Sequence, residues 1–177
     1  MVKKFLKFIA FTLFFIASLV CFMPKSSLYY MLEHKLQPIG VSISSQSAED
    51  GCFTLKLKES SLFVKSIQSA HIAKTEIKFF VLYNSIDMTD IKLSSAAASF
   101  LPLHVQSTKV KYSILDPLNI RAKIVGEFGE ADAKADLIKR VVHVVLKPSK
   151  IMLKEYVQTL RNLKKSVNGE FIYEQNF

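Results

Sequence analysis

Nineteen consecutive residues, Phe5–Met23 (FLKFIAFTLFFIASLVCFM), contain a single charge, Lys7, and no other feature limits the possible folds of this chain so sharply. A helix of that length rises about 1.5 Å per residue, enough to cross most of the ~30 Å hydrocarbon core of a bilayer. Lys7, near its start, can reach back to the head groups. Phe5, Phe8, Phe11, Leu13, Phe15, Ile16, Leu19 and Phe22 are therefore expected to anchor the chain in lipid. Lys3, Lys4 and Lys7 give the segment a positive N-terminal flank, which predicts a cytoplasmic N-terminus and an exported remainder. A cleaved signal peptide needs small residues after the apolar run. Here the run ends Ser18-Leu19-Val20-Cys21-Phe22-Met23, bulky where it should be small, and Val20 stands where a lipoprotein signal needs Gly or Ala. The residues favour a retained anchor over 1–24 and a single exported domain over 25–177. Half of the 177 residues are hydrophobic, yet no second such run occurs, so a polytopic protein is excluded.

The formal charge is +9. Setting aside the three lysines before the anchor leaves 21 basic against 15 acidic residues, about +6 for the exported part. A basic domain held beside a membrane is drawn to anionic lipids or glycolipids. Nucleic acid is not an expected partner, because the compartment is wrong and no basic run is interleaved with aromatics. The two cysteines divide between the apolar run (Cys21) and the domain (Cys52), one in lipid and one outside, so no structural disulfide is expected within the chain and its stability is expected to come from packing.

After Pro24, Leu28, Leu32 and Leu36 recur at helical spacing, with Ser26 or Ser27 as a cap and Pro38 and Gly40 as a stop. This predicts a short juxtamembrane helix with Tyr29 and Tyr30 at the interface. From Val41 the period changes to two. Strands are expected over 41–43, 53–58, 62–67, 71–82, 86–93, 104–115, 120–128, 131–138 and 141–146, separated by turn residues such as Glu49-Asp50-Gly51, Asn84-Ser85 and Asp116-Pro117. The segment Ser94–Phe100 reads equally as a helical turn or a loop. Ser149 caps a second predicted helix running to about Val167, with Asn168-Gly169 as its stop. Leu153, Tyr156, Leu160, Leu163 and Val167 form its apolar stripe. A last strand covers 170–173. The fold class is mainly β with flanking helices (α+β): one transmembrane helix, a short juxtamembrane helix, a curved antiparallel sheet, a C-terminal amphipathic helix and a final strand. Phe53, Leu55, Leu57, Ile72, Phe79, Val81, Ile124 and Phe128 line the apolar face of that sheet. Periodicity cannot decide whether the face is a filled core or a groove for an acyl chain.

Catalysis requires convergent groups, and the local signatures are missing: no Gly-x-Ser-x-Gly elbow, no phosphate-cradling glycine loop, no His-Glu-x-x-His. His34, His71, His104 and His143 are far apart in sequence, and the carboxylates Asp87, Asp90, Glu130, Asp132 and Asp136 fit the polar faces of strands. No catalytic residue, metal ligand or cofactor is expected.

The short basic tail, the single anchor, Pro24-x-x-x-Leu28-Tyr29-x-x-Leu32, and a run of strands closing on a helix and Asn168-Gly169-Glu170-Phe171-Ile172-Tyr173 together resemble the type II secretion system protein N family. That family is similar in turn to the AsmA-like proteins, whose β-layers form lipid-carrying grooves at the bacterial inner membrane. The plan also resembles the lipopolysaccharide export protein C type. The resemblance implies a non-catalytic periplasmic component of an envelope secretion or transport assembly, anchored in the inner membrane and partnered by other envelope proteins. The alternative it implies is a module that handles lipid or lipopolysaccharide in an apolar groove.

Overall fold

In the computed structural model the described residues are 2–80, 82–166 and 168–177, without the side chains of Val2, Leu32 and Ile39. Val81 and Val167, expected on the sheet face and the helix stripe, lie outside the described residues, as does the side chain of Leu32. Helix α1 spans Val2–Phe22 and is long and apolar enough to cross a membrane. None of it is buried against the rest of the chain. Helix α2, Lys25–Leu36, follows after a two-residue break. Eight strands come next: β1 (Val41–Asp50), β2 (Thr54–Val64), β3 (Ile67–Phe79), β4 (Tyr83–Leu93), β5 (His104–Ser113), β6 (Asp116–Gly126), β7 (Gly129–Asp136) and β8 (Val141–Pro148). Helices α3 (Lys150–Glu155) and α4 (Val157–Arg161), then strands β9 (Lys164–Lys165) and β10 (Phe171–Asn176), complete the chain. Mainly β with flanking helices is what the structure shows.

The strands form one antiparallel meander in the order β1-β2-β3-β4-β5-β6-β7-β8-β10-β9. Most of the hairpin turns from β1 to β8 are short because their turn chemistry is local; the exception is the ten-residue link over 94–103 between β4 and β5. Between β2 and β3, Lys65 and Ser66 both take positive φ, the two-residue turn whose twist matches the flanking strands. Cross-strand pairing puts Leu57, Thr75, Met88, Thr108, Ile124, Ala131, Leu146 and Phe171 in one row across the sheet. The next row on that face is Leu55, Ile77, Ile86, Val110, Ala122, Ala133, Val144 and Tyr173. Side chains alternate between faces, so the intervening row (Lys56, Glu76, Asp87, Lys109, Lys123, Asp132) lies on the other, charged face.

Two departures from simple alternation explain where the sequence-based strands go astray. Residues 53–58 and 62–67 were expected as separate strands; β2 runs through both and ends at Val64. Glu59 adopts left-handed φ (+49°), so the inward positions step from Leu57 to Ser60 and Leu62. Asp90 (φ +54°) does the same in β4, between Met88 and Ile91. The C-terminal helix is also shorter than expected. It breaks at Tyr156 (φ −115°, ψ 34°) and ends at Arg161, not near Val167. Ser149 is its cap, its Oγ accepting from the Met152 amide at 3.2 Å. The break sets the inward stripe as Met152, Tyr156, Leu160 and Leu163, while Leu153, expected on it, is 51% exposed. Residues 94–100 form a single 3₁₀ turn (Ser95–Ala97) and a loop, which α4 holds through Thr159 Oγ1 donating to Phe100 O at 2.7 Å.

The apolar face carries two separate cores. Under α3 and α4, Met152 and Leu160 pack on Ala131, Leu146, Phe171, Val105, Ile91 and Phe128, with Ile72 and Ile124 at the margin. Phe128 folds its ring back over Gly126, where a Cβ would come within 2.8 Å of it. At the opposite side of the sheet, Tyr29 of α2 packs on Leu55 and Leu57, with Phe79 and Ile77 beside them.

The cysteine expectation is overturned. Cys21 and Cys52 form a disulfide. Cys21 lies in the last turn of α1 rather than deep in the apolar run, and the β1–β2 hairpin returns Cys52 to that point.

Candidate functional site

The apolar rows leave a cleft of about 420 Å³ between α2 and the ends of β2–β6. Its floor is Leu55, Ile77, Ile86, Val110 and Ile120; Phe79 and Tyr112 line it toward the β3–β4 and β5–β6 turns, and Leu28 and Tyr29 line it from α2. Each floor residue sits there because period-two alternation turns it to the α2 face while its neighbours (Lys56, Lys78, Asp87, Lys109, Arg121) turn away. The size is in the range of small-molecule sites. A second opening on the same face, about 230 Å³, lies beneath α3 and α4 among Phe128, Val144, Met152 and Tyr173. Ala122 and Ala133, the small residues of the shared row, lie between the two.

Three residues, Lys25, Ser26 and Tyr29, hold α2 in place through five hydrogen bonds. Ser26 donates from both its amide and its Oγ to the two carboxylate oxygens of Asp50, at 2.9 and 2.8 Å. That carboxylate does the work the sequence assigned to a serine cap; the helix start itself has no side-chain cap. Tyr29 donates its hydroxyl to Ile43 O at 3.1 Å, and burial raises the phenol above its ordinary pKa. Tyr29 is thus a packing residue, whereas Tyr30 is exposed. Lys25 lines the cleft, is 1% exposed, and donates its Nζ to Cys21 O (3.3 Å) and Met23 O (3.1 Å) at the end of α1. Those carbonyls carry the negative end of the helix dipole. Among the described residues no carboxylate forms an ion pair with Lys25, and Asp50 spends both oxygens on Ser26.

The predicted sheet residues divide. Leu55 and Phe79 line the open cleft. Leu57 is buried beside it, and Ile72, Ile124 and Phe128 belong to the core under α3 and α4. Phe53 sits in the β1–β2 turn and stacks on Phe80 of the β3–β4 turn, centroids 5.6 Å apart. Of the residues expected to anchor the chain, Phe5, Phe8, Phe11, Leu13, Phe15, Leu19 and Phe22 are exposed, with Ile16 partly covered. Ile77, Ile86 and Val110 fell within expected strands but were not singled out, and Lys25 carried no sequence signal at all.

The charged face holds three of the four histidines, the fourth, His34, being on α2. His71 and His104 flank Lys92 in adjacent strands, each with its own carboxylate: Glu59 at 2.8 Å and Asp90 at 2.9 Å. His143 is paired with Glu174 at 2.9 Å, on β8 and β10. These are separate pairs, and among the described residues no group of three or more His, Cys, Asp or Glu could hold a metal ion. Comparison of the chain with protein families, curated proteins and solved structures gave no match.

Proposed function

We propose that this chain is a single-pass, membrane-tethered module that holds an acyl chain of a membrane lipid in the cleft between α2 and β2–β6. The observation that carries this reading is the cleft itself: an open apolar floor, next to the end of a helix long enough to span a bilayer. Hiding a methylene from water is worth about 0.8 kcal/mol whether bilayer or protein does it. Moving a chain from membrane to cleft is therefore close to neutral, and loading is reversible. Lys25, buried at the cleft wall without a carboxylate partner among the described residues, would favour an anionic head group, since an unpaired buried charge is costly. In this reading α1 is retained, Lys3, Lys4 and Lys7 hold the N-terminus in the cytoplasm, and the sheet lies in the periplasm of a bacterial envelope, the compartment in which a disulfide such as Cys21–Cys52 persists.

The test uses the full chain in vesicles containing a phospholipid with a photoactivatable acyl chain. Crosslinks mapped to Ile86 and Val110 are expected, and Ile86→Trp, which fills the cleft, should reduce them several-fold. Crosslinks confined to α1 would end the lipid reading.

A second reading, a component of an envelope secretion assembly, draws support from β1. This ten-residue edge strand pairs only with β2 among the described residues; Tyr29 takes the Ile43 carbonyl, and the other outer backbone groups would be met by a strand from a partner. Photocrosslinkers along β1 that capture no protein in native membranes would remove it.

A further inference from the structure

Alternate turns of a meander share one end of the sheet. The β1–β2, β3–β4, β5–β6 and β7–β8 turns therefore form one rim, about 29 Å long at the usual strand spacing. After the β1–β2 turn, each of them exposes large apolar side chains: Phe80 and Leu82, Ile114 and Leu115, then Leu137 and Ile138, with Leu115 at 85% and Ile138 at 68%. Such residues scattered singly need no explanation, but a contiguous apolar line marks an interaction surface.

The rim is built to hold its shape. Phe53 stacks on Phe80, the Ile114 amide donates to Leu82 O at 3.1 Å, and the Leu137 amide donates to Leu118 O at 2.9 Å. Asp136 turns its carboxylate into its own turn, accepting from the amides of Ile138 and Lys139. The next residues, Lys139 and Arg140, are exposed cations. At the other end of the sheet, Val64, Ile67 and Phe100 are exposed among Lys65, Ser66 and the Ser/Ala loop.

The β1–β2 turn supplies the occupant. Cys52 in that turn is bonded to Cys21 in the last turn of α1, so the rim begins where the membrane-length helix ends. We infer that the rim is a membrane-docking edge: the hairpin tips enter the interfacial layer of the bilayer that holds α1, with Lys139 and Arg140 at its anionic head groups. The strands then stand on the membrane, and the cleft opens at its surface. This inference rests on α1 being a membrane anchor, and it holds whether or not the cleft takes a lipid.

The chain has no tryptophan, so one introduced indole reports alone. The full chain carrying Leu115→Trp, and separately Ile67→Trp at the opposite end, would be reconstituted in phosphatidylcholine vesicles with 20–30%, roughly, of an anionic phospholipid, with or without brominated acyl chains. Melting curves matching the parent chain establish that each variant is folded. Leu115→Trp is expected to emit at shorter wavelength and to lose at least about half its intensity to brominated lipid, with Ile67→Trp unquenched. An unquenched Leu115→Trp in vesicles that have incorporated the chain overturns the docking edge and leaves the anchor intact. Quenching at both positions overturns it too, since the sheet would then lie on its face. Failure to incorporate at all removes the anchor and the edge together.

Discussion

On the charged face, Asp87 is gripped from both neighbouring strands, by Lys78 and Lys109, each at 3.1 Å. Partial burial alone would raise its pKa, but hydrogen bonds and charge from the two lysines outweigh this and hold it below 3.8. A carboxylate with a lowered folded pKa contributes stability that is complete above the unfolded value and disappears as pH falls through the folded one. The melting temperature is therefore expected to hold steady down to about pH 4.5 and to drop below that. Asp87→Asn should cost about 1 kcal/mol at neutral pH and soften the acid drop, leaving the part due to Asp90, Asp116 and Asp136, which are also lowered. A pH series of thermal melts on both chains checks this. Residue-scale backbone detail was the least legible in the sequence. Glu59 and Asp90 are ordinary polar residues, yet their left-handed conformations shift the inward phase of β2 and β4, which is why β2 read as two strands.

At the scale of elements, periodicity was informative until something without a sequence marker interrupted it. The C-terminal helix was legible from its apolar spacing and from Ser149; its break at Tyr156 was not, because neither Gly nor Pro marks it. The break decides which leucines matter. Leu160, 4% exposed, contacts the sheet core, whereas Leu153 faces solvent. Leu160→Asp is expected to cost at least about 3 kcal/mol, through an unpaired buried charge and lost packing, and Leu153→Asp no more than about 0.5. Denaturant unfolding of the two variants separates them, and equal losses would mean that α3 and α4 are continuous after all. The cleft was half legible. Alternation named Leu55 and Phe79, but which rows stay uncovered depends on where α2 lands, and Asp50 and Tyr29 decide that through contacts 24 and 14 residues away in sequence, respectively.

At the scale of the molecule, the meander could be anticipated from closely spaced strands and turns, but its attachment to α1 could not. Nothing in the local sequence of Cys21 or Cys52 says that a hairpin tip returns to the end of α1. The bond closes a loop with a sequence separation of 31 residues, containing α2 and β1. Loop closure of that length is worth about 3–4 kcal/mol, so Cys52→Ser is expected to lower the unfolding midpoint in detergent by a corresponding amount. A midpoint unchanged in the variant would show that the bond constrains nothing. Together the disulfide, the Ser26–Asp50 contacts and the Lys25 bonds to the carbonyls at the end of α1 leave the sheet no slack on its tether. A domain fastened in this way cannot swing out across an aqueous gap and return like a ferry. In the proposed lipid-holding role it would work as a fixed quay: whatever it holds would arrive from the membrane beside α1, and whatever receives that cargo would have to come alongside.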